Sequence, residues 1–409
     1  MKNKLIIFLI LISNVAFAQE SRTQQWQSDL TLYYQSLEKN HIDLFHQIDR
    51  TNFEKELDTI RNSVDQLSDW GITLGLMRLT RKIGDGHTAV SFANWETNSY
   101  PITVKKISNE WRVIKVASGH SDILGAMLES IDGTKIADIE RKLAKVVQYV
   151  ENPHSEITRI ANYMPIGELL YELKITKSPR KAVFRLLTGE GELTEVHLNT
   201  VPNTQLAQLE YKQLDVSTSA VVMPKDFDFE YLWYTTVSKK KATYIRFDSY
   251  PKFEEMLPFV EKLLVFMEQN QSQQIVIDLR NNGGGDLYVG LVLANALNLI
   301  DNVDWANGVY VLTGATTFSA ATSNAALFRQ LLNAKIIGMP TGSNPTGYQD
   351  MGYLILPSSK LRITYSKRMF RMQETATVGV VPDIHIEQNW DDYSKGVDNV
   401  LEDVVDMLY

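Results

Sequence analysis

The run Gln274-Ile-Val-Ile-Asp278-Leu-Arg280-Asn-Asn-Gly283-Gly-Gly285-Asp286 constrains the fold of this chain more than any other stretch. Its apolar, β-branched residues suit a strand buried on both faces, and the apolar segment Leu287 to Ile300 that follows reads as a helix. Between them stand three consecutive glycines. Glycine reaches φ > 0 and lets bare backbone N–H groups approach a ligand. The helix N-terminus behind them adds partial positive charge. The stretch is either a cradle for an anion or developing oxyanion, or a tight strand-to-helix turn, for which one glycine would suffice.

Residues 1–18 form a separate object. Lys2 and Lys4 precede the apolar run Leu5 to Ile12, and Ala16-Phe17-Ala18 places small residues at the usual cleavage spacing, so a secretory signal cleaved before Gln19 is expected. About eight apolar residues are too few to span a bilayer. The chain has no cysteine, which removes lipid attachment to a new N-terminal cysteine, disulfides, thiol catalysis and cysteine metal sites. The expected location is periplasmic or secreted, with no stable membrane anchor. Without Lys2 and Lys4 the chain carries 39 basic and 49 acidic residues, a net charge of −10 that disfavours nucleic-acid and anionic-membrane partners.

The remaining 391 residues are enough for two or three domains. Residues 19–95 read as helical. Trp26, Leu30, Tyr33 and Leu37 share one face, Thr51 with Glu54 suggests a capping box, and a third helix starts near Ser68 and ends at Gly84. Residues 96–200 change to strands: Ile102 to Ile107, Trp111 to Val116, Met127 to Ile131, then a helix through Ile136, Ile139, Leu143, Val146 and Val150. Strand, Asp132-Gly133 turn and amphipathic helix in that order resemble the second half of a PDZ domain, although Ala117-Ser-Gly-His-Ser121 lacks the glycine-rich carboxylate-binding loop. A hairpin, Val183 to Leu187 and Leu193 to Leu198, follows. In residues 201–409 strands alternate with helices, the pattern of an α/β core, and a last helix runs from Asp391 toward Leu408.

Two further places bear on chemistry. After the strand Val309 to Leu312, Ser319 stands at a strand-turn-helix corner, where a hydroxyl is exposed and its N–H lies near the helix dipole. The pattern G-x-S-x-G is absent, and Ser319 could instead simply cap the helix. His87, in Asp85-Gly-His-Thr88, sits on a turn between helix and strand, as a surface loop histidine also would. The other histidines form no H-E-x-x-H spacing, and the His41/His46 pair reads as structural or surface. Walker A and G-x-G-x-x-G patterns fail at the glycine run, so neither a metal nor another cofactor is expected.

Taken together, Asp278-Leu-Arg-Asn-Asn-Gly-Gly-Gly285, Thr317-Phe-Ser319-Ala-Ala, Ile337-Gly-Met-Pro-Thr-Gly342 and Gly379-Val-Val-Pro-Asp383 resemble the tail-specific (C-terminal processing) serine peptidase family. Asp85-Gly-His-Thr88 and Lys39-Asn-His-Ile-Asp-Leu-Phe45 fit as well, in the expected order. The resemblance points to the branch with tricorn-type proteases and interphotoreceptor retinoid-binding proteins. It implies a ClpP/crotonase-like α/β catalytic core, an N-terminal helical domain and a small PDZ-like β-rich module. One catalytic solution in the family uses a lysine 25 positions after the nucleophile; here that position is Asn344. The other uses an N-terminal histidine on a turn like that of His87.

The resemblance therefore implies a serine endopeptidase acting on polypeptide or peptide substrates, with Ser319 as nucleophile and His87 as base. Its oxyanion hole would comprise Ala320 N–H and that of Gly284 or Gly283, Gly284 being preferred because it follows a position that is often proline in relatives. Two departures stand out. The tricorn pattern has serine where this chain has Gly86, and glutamate where it has Ala376. Glu374 and Asp350 are the candidates for orienting His87, and Tyr348 and Gln349 the candidates for substrate contact. The alternative is a non-catalytic ligand- or peptide-binding protein on the same fold.

Overall fold

The computed structural model describes residues 20–409. The expected secretory signal, residues 1–18, lies outside the described residues. The N-terminal helices are Arg22–Asn40, Arg50–Asn62 and Asp69–Arg81. Ser21 and Gln24 close a capping box on the first, and Ser68 caps the third, as its side chain accepts from Gly71 N–H. The second helix is capped by Asp49 rather than by Thr51, since the Asp49 carboxylate takes the Asn52 N–H at 2.9 Å. Glu54 is then free to accept the Tyr34 hydroxyl.

The β-rich segment forms a sheet in the order Tyr211–Gln213, Glu110–Ala117, Met127–Ile131, Lys181–Leu187 and Leu193–Asn199, with Ile102–Ile107 and Thr134–Lys135 paired to its members. The helix Ile136–Ala144 is shorter than the apolar spacing suggests. Val146 and Val150 are buried outside it, on either side of Tyr149, which adopts φ 60°.

The α/β core is a six-stranded sheet: Leu232–Thr236, Ala242–Phe247, Gln274–Asp278, Val309–Thr313, Lys335–Gly338 and Ile384–His385. The first pair is antiparallel and the rest are parallel. Side chains alternate across it. Ile275 and Ile277 face the helices Phe253–Gln269, Leu287–Leu297 and Ala320–Leu331, while Val276 faces Leu401, Val404 and Val405 of the helix Asn399–Met407. The last helix is broken in two. Gly396 adopts φ 79°, and Asp398 starts a new helix by accepting from Leu401 N–H.

One element cuts across the expected segment boundaries. The strand pieces read at Tyr353 and Leu361 belong to a long hairpin, Thr346–Ile355 and Arg362–Arg371, whose second strand pairs with Ala89–Ser91. Leu356, Leu361 and Ile363 are buried in the same apolar cluster as Leu30, Leu79 and Val116. The hairpin thus carries residues of the core sheet's half of the chain into the N-terminal core, and draws Thr88 and His87 with it.

Candidate active site

The central strand ends in two separate devices. Arg280 takes the Asp278 carboxylate through Nε (3.0 Å) and Nη2 (2.6 Å), and bonds both Asp398 oxygens at 2.8 Å. Tyr244 adds its hydroxyl to Asp278 at 2.8 Å. Asp-Leu-Arg is therefore a buried ion cluster that fastens the C-terminal helix to the sheet, apart from the glycine loop.

The glycines follow a different logic. Asn282 is fully buried; its amide donates to Phe247 O at 2.7 Å, its side-chain oxygen accepts Gly284 N–H at 2.9 Å, and its carbonyl accepts Phe318 N–H at 3.0 Å. The glycine loop and the Ser319 loop are thus stitched together. Gly284 has φ 104°, and a Cβ there would stand 2.7 Å from Ser319 Cβ and 2.8 Å from Phe318 O. Side-chain bulk is excluded where the loop meets the serine. Among the described residues Gly283 and Ala320 N–H have no hydrogen-bond acceptor, whereas Gly284 N–H is held by Asn282.

Ser319 itself adopts φ 53°, ψ −124°, a backbone conformation that L-residues rarely occupy. It stands at the N-cap of Ala320–Leu331, yet its side chain makes no capping bond. Its N–H donates to Ser343 Oγ at 2.7 Å, and Ser343 donates to Thr322 Oγ1 at 2.8 Å. Ser343 and its neighbour Asn344 replace the lysine context of the other branch. Asn344 Oδ1 accepts from Asn152 Nδ2 (3.1 Å) and Gly379 N–H (2.9 Å), a connecting role.

His87 reaches Ser319 from the N-terminal part of the chain, its Nε2 3.0 Å from Ser319 Oγ. It is 4% exposed, so it is not a surface loop histidine. The turn that presents it is built on Asp85. One carboxylate oxygen accepts His87 N–H (2.9 Å), Thr88 N–H (2.8 Å) and the Ser366 hydroxyl (2.7 Å), the last reaching over from the hairpin. The other oxygen meets His41 Nε2 at 2.8 Å. Asp43 N–H donates to His41 Nδ1, so Nε2 carries the His41 proton and donates it to Asp85. These bonds hold the Asp85 carboxyl down at about 2 despite burial, which opposes them.

Burial is the main cause that lowers His87 to about 4; the Asp85 charge works against it, and the Arg159 charge adds to it. The ring is neutral at pH 7 and able to accept a proton. Its Nδ1 is buried without a hydrogen-bond partner among the described residues. The backbone carbonyl of Tyr348 favours the charged ring but makes no formed hydrogen bond to it. Of the two acids considered from the sequence, Glu374 is exposed, and Asp350 pairs with Lys367 (3.2 Å) and Arg368 (2.9 Å). Neither bonds His87. Gln349 is 3% exposed and donates to Asn344 O, and Tyr348 donates to Asp43.

Gly86 has a steric reason. A Cβ there would lie 2.8 Å from both Phe318 Cζ and Glu151 Cβ, so the serine of the tricorn pattern has no room. Glu151 itself is raised well above the usual carboxylate range by burial, with Asp85 adding to the shift, and one of its oxygens has no partner. Glu151 carries no motif that marks it in the sequence. Nor does any motif mark Arg159, while Asp85 stands in Asp85-Gly-His-Thr88 with no sign there that its carboxylate builds the turn. Ser343 could have been noticed because it directly precedes Asn344, the position at which the other branch carries its lysine.

No family model matches the chain, and no curated protein matches it. Solved structures do. Mature CPAF aligns at a TM-score of 0.67 with 14% identity, covering 93% of this chain and 97% of its own. CPAF complexed with lactacystin aligns at 0.66 and 15%, covering 94% and 98%. A photosystem II D1 C-terminal processing protease aligns at 0.41 and 12%, covering 91% and 98%. These neighbours belong to the tail-specific and C-terminal processing peptidases that the motifs resemble. At such identities a likeness speaks for the fold, and the CPAF alignments carry it: over nearly its whole described length, this chain has the mixed α/β fold of CPAF.

Proposed function

We propose that the chain is a serine endopeptidase of the tail-specific type, hydrolysing peptide bonds with Ser319 as nucleophile and His87 as general base. The observation that carries this reading is the 3.0 Å approach of His87 Nε2 to Ser319 Oγ across 232 positions of sequence. The strained Ser319 backbone supports it too, since strain of this kind persists where the surroundings impose it.

His87 would take the Ser319 proton as the oxygen attacks a carbonyl, then pass it to the leaving amine; it would next deprotonate a water that attacks the acyl-enzyme and return that proton to Ser319 Oγ as the acid product leaves. Ala320 N–H is one oxyanion donor. Its partner is Gly283, whose N–H has no acceptor among the described residues, or Gly284 once Asn282 releases it. One such donor is typically worth about 10²–10³ in rate. The six-stranded sheet, parallel in all but its first pair, supports a ClpP/crotonase-like core, and the β-rich sheet with the helix Ile136–Ala144 supports a PDZ-like module. Export to the periplasm or outside the cell rests on residues 1–18. Among the described residues no helix is long and apolar enough to cross a membrane.

One observation favours the rival reading, a binding protein on the same fold: among the described residues His87 Nδ1 has no acceptor. A fluorophosphonate probe decides between them. It is expected to label the protein at Ser319 and to fail on Ser319→Ala. No labelling of a protein that is folded by circular dichroism gives the case to the binding reading.

A further inference from the structure

Arg159 lies on the helix Pro153–Tyr163, outside every motif of the chain. That helix is pinned to the α/β core at its N-cap, where Asn152 Nδ2 donates to Thr341 O at 3.0 Å and to Asn344 Oδ1 at 3.1 Å. The Arg159 guanidinium carbon sits 5.0 Å from the ring centre of Phe318, the residue before the nucleophile. The His87 ring is 5.3 Å from the same phenyl ring. Phe318 is thus shared between the base and a cation.

Among the described residues the cation pairs with no carboxylate. Arg159 Nε donates to Tyr149 O at 3.2 Å, but among the described residues neither Nη atom has an acceptor, and neither is sealed from solvent. The acid on its own helix, Glu156, is taken by Arg81 at 2.9 Å. Burial depresses the Arg159 pKa, and no opposite charge restores it beyond the phenols of Tyr163 and Tyr149. A half-buried guanidinium usually finds a bidentate carboxylate, because its planar fork matches two oxygens. Stacking on Phe318 accounts for the position of the plane but leaves the two outer nitrogens unused.

We propose that Arg159 is a specificity-determining residue, its free fork receiving a carboxylate of the substrate beside the scissile bond. The inference rests on the peptidase reading. The carboxylate has two sources, an Asp or Glu side chain or a free C-terminus, and both present the same pair of oxygens. In either case the anion would also offset the field of Arg159 at His87, so that binding an acidic substrate eases protonation of the base.

The test is an equimolar library of acetylated synthetic tetradecapeptides, prepared with free-acid and with amide C-termini, each with Glu and matched Gln members, digested and read by mass spectrometry. The wild-type protein is expected to prefer one carboxylate position by at least about tenfold. Arg159→Gln should bring that ratio near one, and Arg159→Lys should keep part of it. A ratio of acid to amide ends identifies the terminus as the source, and a ratio of Glu to Gln members identifies a side chain. Equal profiles for wild type and Arg159→Gln overturn the proposal. If wild type neither cuts the library nor reacts with fluorophosphonate, the peptidase reading fails. Retention of the same library on Ser319→Ala and on Ser319→Ala/Arg159→Gln then judges the subsite alone: carboxylate-dependent retention lost in the double variant supports it, and identical retention rejects it.

Discussion

Gly284 lies so close to Ser319 that a methyl group on it would stand 2.7 Å from the serine Cβ. The glycine loop and the nucleophile are therefore one packed unit, and the glycine is required by its neighbour as much as by its own φ of 104°. Gly284→Ala meets both demands at once. Strain of this kind costs on the order of 1–3 kcal/mol. The variant should fold but lose about 10²-fold or more in peptide hydrolysis, because the serine must shift. A variant with wild-type kcat and a wild-type crystal structure at this loop would contradict the packing argument.

The base should titrate low. His87 is held at about 4, chiefly by burial, and kcat/KM reports groups on the free enzyme. Its acid limb is expected near pH 4, with activity on a neutral peptide flat from about pH 5 to 7. An acid limb between 6 and 7 would mean that the ring is solvated in the working enzyme. The same depressed pKa acts on stability: an unfolded histidine binds its proton below about 6.5 and the folded one does not, so this group lowers stability progressively as pH falls from about 6.5 to 4.

Asp85 has the opposite effect on the acid side. Its carboxyl is held at about 2, below its ordinary value of 3.8, so its contribution is full above about pH 4 and is lost as pH falls through 2. Asp85→Asn keeps the shape but offers one acceptor oxygen where four donors converge. It should cost about 2–3 kcal/mol at pH 7, in line with hydrogen bonds to charged groups. Urea titrations of both proteins from pH 7 to 3 should show the gap constant above about pH 4 and shrinking below it. Activity should fall as well, since the carboxylate fixes the backbone of His87.

The buried ion cluster at Arg280 predicts a stability effect removed from the glycine loop. Arg280→Met leaves Asp278 and Asp398 unpaired, and breaking such a cluster by deleting one partner typically costs about 3–5 kcal/mol. Because Asp398 also caps the last helix, hydrogen exchange should speed up in residues 399–407 first. Uniform protection across the chain would show that the cluster does not anchor that helix.

A lysine mechanism makes a different forecast from the histidine one. Lys367 pairs with Asp350 on an exposed part of the hairpin. Lys367→Ala should retain most peptide hydrolysis while His87→Ala loses it, read with the same fluorogenic peptide. The reverse outcome would restore a lysine base.

Much of the architecture is legible in order along the chain, because periodicity and caps are local. Met127–Ile131 stands where its strand pattern places it, the third helix starts beside Ser68 as expected, and the run at Gln274–Asp278 is buried throughout. Errors occur where a distant partner overrides local preference. Thr51 loses its capping role to Asp49, and two short strand pieces are really one long hairpin, because Ala89–Ser91 supplies a third strand that no nearby residue announces.

The sequence by itself determined which residue types could do chemistry here: a serine at a strand-turn-helix corner, a glycine run without bulk, a histidine on a turn and no cysteine. Tertiary structure decided which of them meet. His87 is brought to Ser319 by Asp85, His41 and Ser366, which come from three separate regions of the chain and share one buried carboxylate. Whether Gly284 N–H is free, why residue 86 must be glycine and how Arg159 comes to stack on Phe318 depend on packing distances of a few ångströms between segments far apart in sequence. Local pattern holds no record of such distances, since they arise only when the chain has folded around them.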